Sequence, residues 1–272
     1  MPVINTNVNA MFAQGALKVN GRNLSQAMQQ LSTGSRVNSA ADDAAGLAIG
    51  QTMTAQIRGL TQAVRNANDG ISMLQTAEGS MNEQSNILQR MRELAVQAST
   101  ATYSSAQRGY LQTEFSALSS QIDNIASQTT WNGMNILDGS TNSGSFDIQV
   151  GSVSGQTITV TIANVSVSGL GVSGDISTSS GASTAITTIN DALDTLNSAR
   201  ATIGAGVNQL TYAADNLTNV IQNYSNSRSQ VMDTDYATAT TQLARTQIIQ
   251  QAATAMLAQA NQAPQSVLAL LK

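Results

Sequence analysis

At 272 residues the chain is long enough for one or two domains with a sizeable core. A formal charge of −4 and a pI near 4.7 leave no basic patch to displace counterions from nucleic acid. Cysteine and histidine are both absent, which excludes disulfides, thiol catalysis, His-based acid–base chemistry and nearly every zinc site.

Only 10% of residues are charged and 3% aromatic, so Ser, Thr, Asn and Gln carry the polar surface. Such a surface has little charge repulsion and suits lateral packing against copies of itself. The N-terminus, Met1-Pro2-Val3-Ile4-Asn5, has no basic region followed by an apolar one and is not a Sec-type signal. No run of about eighteen apolar residues offers a transmembrane helix.

Residues 1–33 read as an amphipathic segment. Leu17, Leu24, Met28 and Leu31 keep a 7,4,3 spacing behind Val3, Ile4, Val8, Met11 and Phe12, and Gly34 is the expected helix stop. After a loop over Ser35–Asn38, Ser39 is the expected N-cap, with Asp42 at the capping-box position. Met53, Ile57, Leu60, Val64, Ala67, Ile71, Leu74 and Met81 then repeat a 4,3 step that Glu78 interrupts. With Leu88, Met91, Leu94 and Ala98 this helix reaches about residue 99. Its glycines weaken it by up to ~1 kcal/mol each relative to Ala, and small residues permit close approach of a neighbour.

A third helix follows the turn at Ser99–Ser105, carrying Leu111, Phe115, Leu118, Ile122 and Ile125 and ending near Gln128. Asn132-Gly133 and Asp138-Gly139 signal turns. Phe146, Ile148 and Val150 alternate with polar residues, as do Ile158, Val160 and Ile162, which predicts a β-hairpin. A third strand is expected over Val165–Val172 and a loop over Ser173–Ser183.

The stretch from Ile189 to Val231 organises the chain. Ile189, Leu193, Leu196, Ile203, Val207, Leu210, Ala214, Leu217, Ile221, Tyr224 and Val231 keep the 4,3 step, interrupted only by Arg200 and Arg228. A 3.5-residue period marks a helix that faces another helix along its whole length. It would span roughly 65 Å at about 1.5 Å per residue. A compact globule of this length has a radius of gyration of only about 18 Å, so a rod is expected. Asp233-Thr234-Asp235 offers a break, and a final amphipathic segment runs through Leu243, Ile248, Ile249, Met256, Leu257, Val267, Leu268, Leu270 and Leu271. Pro264 is expected to interrupt or reorient it.

The expected fold is therefore mainly α: a long antiparallel helical coiled-coil rod with paired N- and C-terminal helices and a small β-hairpin region at the distal end. The expected parts are residues 1–38 (half of an inner coiled coil plus a connecting loop), 39–140 (rod), 141–185 (small β-rich middle), 186–232 (returning rod helix) and 233–272 (the other inner half). An isolated amphipathic helix is marginal in water. Both ends are accordingly expected to be mobile in a free subunit and ordered when other subunits cover their apolar faces.

Several long motifs resemble bacterial flagellin. They are Ile4-Asn5-Thr6-Asn7, the run from Leu31-Ser32-Thr33-Gly34 to Ala44-Ala45-Gly46, Arg65-Asn66-Ala67-Asn68-Asp69-Gly70, the run from Leu88 to Gln97, and the C-terminal Pro264-Gln265-Ser266-Val267-Leu268-Ala269-Leu270-Leu271-Lys272. The resemblance covers about residues 3–140 and 186–272. It implies a subunit of the flagellar filament, exported unfolded through the flagellar type III apparatus, self-polymerising and without cofactor. Leu17, Leu24, Met28, Leu31, Leu257, Val267, Leu268, Leu270 and Leu271 would pack in the filament's inner core. Arg90, Leu94, Gln97 and Glu114 match the surface that packs between subunits and that a Toll-like flagellin receptor of animal hosts reads. Other implied partners are an export chaperone at the C-terminal segment and the filament cap and hook-junction proteins.

The nearest alternative is a hook–filament junction protein of the same family. An outer-domain zinc protease needs a His-Glu-x-x-His helix and is excluded. Asp138, Asp147 and Asp175 are scattered through turns and solvate loops. A membrane-active role is disfavoured because the polar faces of the ends carry Asn, Gln, Ser and Thr where Lys and Arg would be needed.

Overall fold

The computed structural model describes residues 6–269, with side chains described through residue 262. Helices dominate: α1 Val8–Thr33, α2 Ala44–Ser99, α3 Ser105–Gln128, α4 Val167–Leu170, α5 Ser179–Met232 and α6 Tyr236–Ala269. Two antiparallel hairpins lie between α3 and α4, β1 Thr130–Trp131 with β2 Met134–Asn135, and β3 Ser145–Gln149 with β4 Thr157–Thr161. The chain divides into two compact units, Met1–Ile57 with Gln222–Lys272, and Arg58–Ile221.

In the larger unit α2 and α5 run antiparallel. Arg92 Nε donates to Asn190 Oδ1 at 2.8 Å, Arg200 Nη2 lies 3.8 Å from Glu78 Oε1, and Gly70 sits against Leu210. The expected 4,3 stripes supply much of the core, with Ile71, Leu193, Val207 and Ala214 only partly buried. Leu74, Met81, Leu88 and Met91 of α2 meet Ile189, Leu196, Ile203 and Leu210 of α5, and α3 adds Phe115 and Ile122. Side chains of this size contribute about 1.5–3 kcal/mol each when fully buried. Glu78 and Arg200, the interruptions of the two stripes, face each other. A charged pair placed in matching layers favours one register over its slipped neighbours. Gln84, fully buried, donates to the carbonyls of Ile122 at 3.3 Å and Val165 at 3.2 Å, tying α2 to α3 and to the segment after β4.

Turn chemistry places the hairpins. Asn132 (φ 48°) and Gly133 (φ 78°) supply the two positive φ angles that a tight two-residue hairpin turn needs. In the second hairpin Phe146 pairs with Val160, and both side chains are buried in the core. The segment expected as a third strand is instead the short helix α4. Ser166 Oγ accepts from Gly169 N at 3.2 Å and Gly171 closes the turn at φ 66°. Local capping thus overrides the β-branched composition, while Val165, Leu170 and Val172 still reach the core.

In the smaller unit α1 and α6 are antiparallel, and Asn20 Nδ2 donates to the carbonyl of Thr246 at 2.8 Å. Gly34 ends α1 in the left-handed conformation (φ 72°), as expected. Arg36 laces the two inter-helix connections together. Its N–H donates to Met232 O and its guanidinium to Val231 O, both at 2.7 Å, while Thr234 N donates to Gly34 O at 2.9 Å.

Two expectations in this unit are corrected. Ser39 does not cap α2. The helix begins at Ala44 with Asp43 Oδ1 accepting from Gly46 N at 2.8 Å, while Asp42 Oδ2 closes the preceding loop by accepting the N–H groups of Asn38 and Ser39 and the Ser39 hydroxyl. Pro264 does not end the last helix, which runs to Ala269. Proline lacks the N–H that would bond the carbonyl four residues back. That carbonyl, of Ala260, accepts from Asn7 Nδ2 at 2.8 Å instead.

Candidate assembly and recognition surfaces

The seam between α1 and α6 mixes buried small and polar side chains with half-buried leucines. Ala10, Asn20 and Ala27 of α1 and Ala239 and Thr246 of α6 are buried in it. Leu17, Leu24, Leu31, Leu243 and Leu257 are half-buried. On α1 the seam positions step by 3 and 4 residues through Ala10, Ala13, Leu17, Asn20, Leu24, Ala27 and Leu31. Met28 therefore falls off the seam, 56% exposed, and Ala27 is buried in it.

Other large apolar side chains of the pair are left exposed. Phe12 is 76% exposed, Met256 65% and Met11 63%, and Val8, Val19, Ile248 and Ile249 are also exposed. Phe12, Ala13, Ala16, Ala253 and Met256 line an open groove of about 730 Å³ along one side of the pair. Clustered exposed apolar groups of this kind mark an interaction surface. Of the remaining inner-core residues, the side chains of Val267 and Leu268 and the whole of Leu270 and Leu271 lie outside the described residues.

The second surface sits on α2 and α3. Arg90 is gripped by two carboxylates: its Nε and Nη2 donate to Glu114 Oε1 at 3.0 and 2.9 Å, and its Nη1 to Glu93 Oε2 at 3.0 Å. Its hydrogen bonds to Glu114 first, then to Glu93, raise the guanidinium's pKa further. Gln97, also exposed, donates from Nε2 to the Tyr103 hydroxyl at 2.9 Å. Arg90, Glu114 and Gln97 are thus on the surface. Leu94 is not: it is 1% exposed and belongs to the core beneath them, because the 4,3 step of α2 carries it inward.

The polar seam residues Asn7, Asn20 and Thr246 were not among the expected sites. A search for apolar period reads them as interruptions. The available signal is that Asn20 stands on the 3,4 step between Leu17 and Leu24.

Full-length heptad stripes, a terminal helix pair whose large side chains face outward and a surface low in charge define a structural subunit that packs beside its own copies. The profile of the bacterial flagellin N-terminal helical region matches residues 4–142, and that of the bacterial flagellin C-terminal helical region matches residues 186–271. A flagellin of Halalkalibacterium halodurans is 42% identical over 273 residues, spanning 99% of this chain and 100% of the relative. The flagellar filament 33 kDa core protein of Treponema phagedenis is 40% identical over 99% of this chain and 100% of its own. The crystal structure of Bacillus cereus flagellin superposes with a TM-score of 0.51 at 32% identity, covering 56% of this chain and 88% of that one. The chain belongs to the bacterial flagellin family. It is a short-form flagellin, an extracellular structural subunit of the flagellar filament and not an enzyme. Among the described residues no helix is long and apolar enough to cross a membrane.

Proposed function

We propose that the α1–α6 pair is the polymerising element and that it gains most of its stability only when neighbouring subunits cover it. The observation that carries this reading is the inverted distribution of side chains. The fully buried groups of the seam are small or polar and its leucines are only half-buried, while Phe12, Met11, Met28, Ile248 and Met256 face outward. Burying Ala and Thr contributes far less than burying Phe, Met or Ile, so the pair alone is marginal and its covered form is not. Leu17, Leu24, Leu31 and Leu257 hold the pair together, and the outward residues, with Val267, Leu268, Leu270 and Leu271, meet other copies.

The exposed Arg90, Glu114 and Gln97 form a lateral contact between subunits, and the same face is the one open to a host Toll-like flagellin receptor when the subunit is free. An export chaperone covers the apolar face of the C-terminal segment before assembly, and the cap and hook-junction proteins meet the growing polymer at its ends. Limited proteolysis tests the central part. Cleavage within residues 8–33 and 236–262 is expected to be fast in a dilute subunit and slow in the filament. Equal resistance in both states would overturn the reading.

A further inference from the structure

The methionines are sorted by place. In the larger unit Met73, Met81 and Met91 are buried, and only Met134 among its large exposed side chains is a thioether (38%). On the terminal helix pair Met11, Met28 and Met256 are all more than half exposed. A flexible thioether at a solvent-open position is the usual target of peroxide, and its sulfoxide is polar. We propose that Met11, Met28 and Met256 are a peroxide-sensitive set whose oxidation withdraws a free subunit from polymerisation. The proposal rests on the α1–α6 pair being the polymerising element.

The step is a two-electron oxygen transfer. A sulfur lone pair attacks one oxygen of hydrogen peroxide, the S–O bond forms as the O–O bond breaks, and the departing hydroxide leaves as water after proton transfer. The thioether is oxidised to the sulfoxide and the peroxide is reduced. Each sulfoxide oxygen is a strong acceptor that the apolar face of a neighbouring subunit leaves unpaired, so docking is opposed. Once the face is covered in the filament the same sulfurs are out of reach, and the polymer resists what the monomer does not.

The test is to treat the full-length subunit with dilute hydrogen peroxide, map sulfoxides by peptide mass, and measure growth on filament seeds. Met11, Met28, Met256 and Met134 should oxidise ahead of Met73, Met81 and Met91. The critical concentration should rise by about tenfold or more, a factor that corresponds to 1.4 kcal/mol. Growth should return after a methionine sulfoxide reductase removes the mass shift. The Met11→Leu/Met28→Leu/Met256→Leu subunit should keep its growth after the same dose, and Met134→Leu should give no protection. The proposal is overturned if reductase restores the mass but not the growth, or if the triple-Leu subunit loses growth as the parent does. Normal growth of an untreated Phe12→Glu subunit would instead overturn the polymerising role of the pair, leaving the order of oxidation unaffected.

Discussion

One side chain, Asn7, serves both helices of the terminal pair. Its Oδ1 accepts from Ala10 N at 3.0 Å and caps α1, while its Nδ2 donates at 2.8 Å to the carbonyl of Ala260, the one that Pro264 leaves without its helical partner. A helix cap contributes about 1 kcal/mol, and pairing an orphaned carbonyl a similar amount, about 1 kcal/mol. Asn7→Asp should retain the cap and lose the donor. It should raise the critical concentration for seeded growth by roughly 5-fold or more in the parent, but have little effect in a Pro264→Ala background, where the residue-264 N–H is again available to Ala260. An equal effect of Asn7→Asp in both backgrounds would separate Asn7 from Pro264.

In the larger unit the charged pair Glu78–Arg200 is expected to act on register more than on stability. Both side chains are partly exposed and 3.8 Å apart, so the attraction is worth roughly 0–1 kcal/mol. Glu78→Ala alone should lower the thermal midpoint more than Glu78→Leu/Arg200→Leu does, since the single change leaves a half-buried guanidinium without its carboxylate. Charge reversal of both residues should recover most of the loss. Melting of the four proteins by circular dichroism measures this.

Two glycines of α2 make opposite predictions. Gly79 faces open space, and Gly79→Ala should stabilise by about 0.5–1 kcal/mol through helix propensity. At Gly70 a methyl group would stand 3.2 Å from both Ile148 Cγ1 and Leu210 Cδ1. Crowding of a packed site costs about 1–3 kcal/mol, so Gly70→Ala should destabilise despite the same propensity gain. Denaturant midpoints of the two variants should move in opposite directions.

Acid should loosen the smaller unit through its loop carboxylates. The Ser39 hydroxyl and N–H hold Asp42 below the ordinary carboxylate range, and the Thr238 hydroxyl with Ala237 N does the same for Asp235. The folded state keeps these groups ionised at a pH where the unfolded chain would protonate them. Their contribution is therefore whole above about pH 4 and is lost as pH falls through the lowered folded values. Asp42→Asn and Asp235→Asn should flatten the acid limb of stability against pH and leave the slope between pH 6 and 8 unchanged, as melting across that range would show.

Leu94 separates fold from recognition. Leu94→Ala should destabilise the subunit by about 2–5 kcal/mol, while Arg90→Ala, at the surface, should leave its melting nearly unchanged. Any loss of inter-subunit or receptor contact in Leu94→Ala should then be recovered by cooling or by a stabilising substitution elsewhere. The same treatment should leave the Arg90→Ala defect in place, as binding measured at two temperatures would reveal.

The long helices were legible because burial along α2 and α5 follows a single period over many turns. Leu60, Leu74 and Met81, like Ile189, Leu196 and Ile203, needed no tertiary information to be found. Short-range polar chemistry was less visible. Ser166 turns a Val-rich stretch into α4, and Asp43 outcompetes Ser39 as the cap of α2, in each case through a hydrogen bond whose geometry the residue types alone do not fix. At the surface the family resemblance pointed to Arg90, Leu94, Gln97 and Glu114 together; Arg90 and Glu114 bond each other and Gln97 is exposed, whereas Leu94 is turned inward by the same helix. On α1, Leu24-x-x-x-Met28 and Leu24-x-x-Ala27 both continue a 4,3 pattern, and only the partner helix selects the smaller residue for the seam. Where α6 continues through Pro264, the carbonyl left without its helical partner is taken by Asn7, a residue more than 250 positions away.

Seeded growth of Phe12→Glu reads the proposed polymerising face of the terminal pair directly. Phe12 is 76% exposed, so a charge there should leave the melting of the larger unit unchanged while abolishing elongation on wild-type seeds at any subunit concentration that supports the parent. Elongation of Phe12→Glu at the parental rate, with the substitution confirmed in the growing filament, would contradict the account.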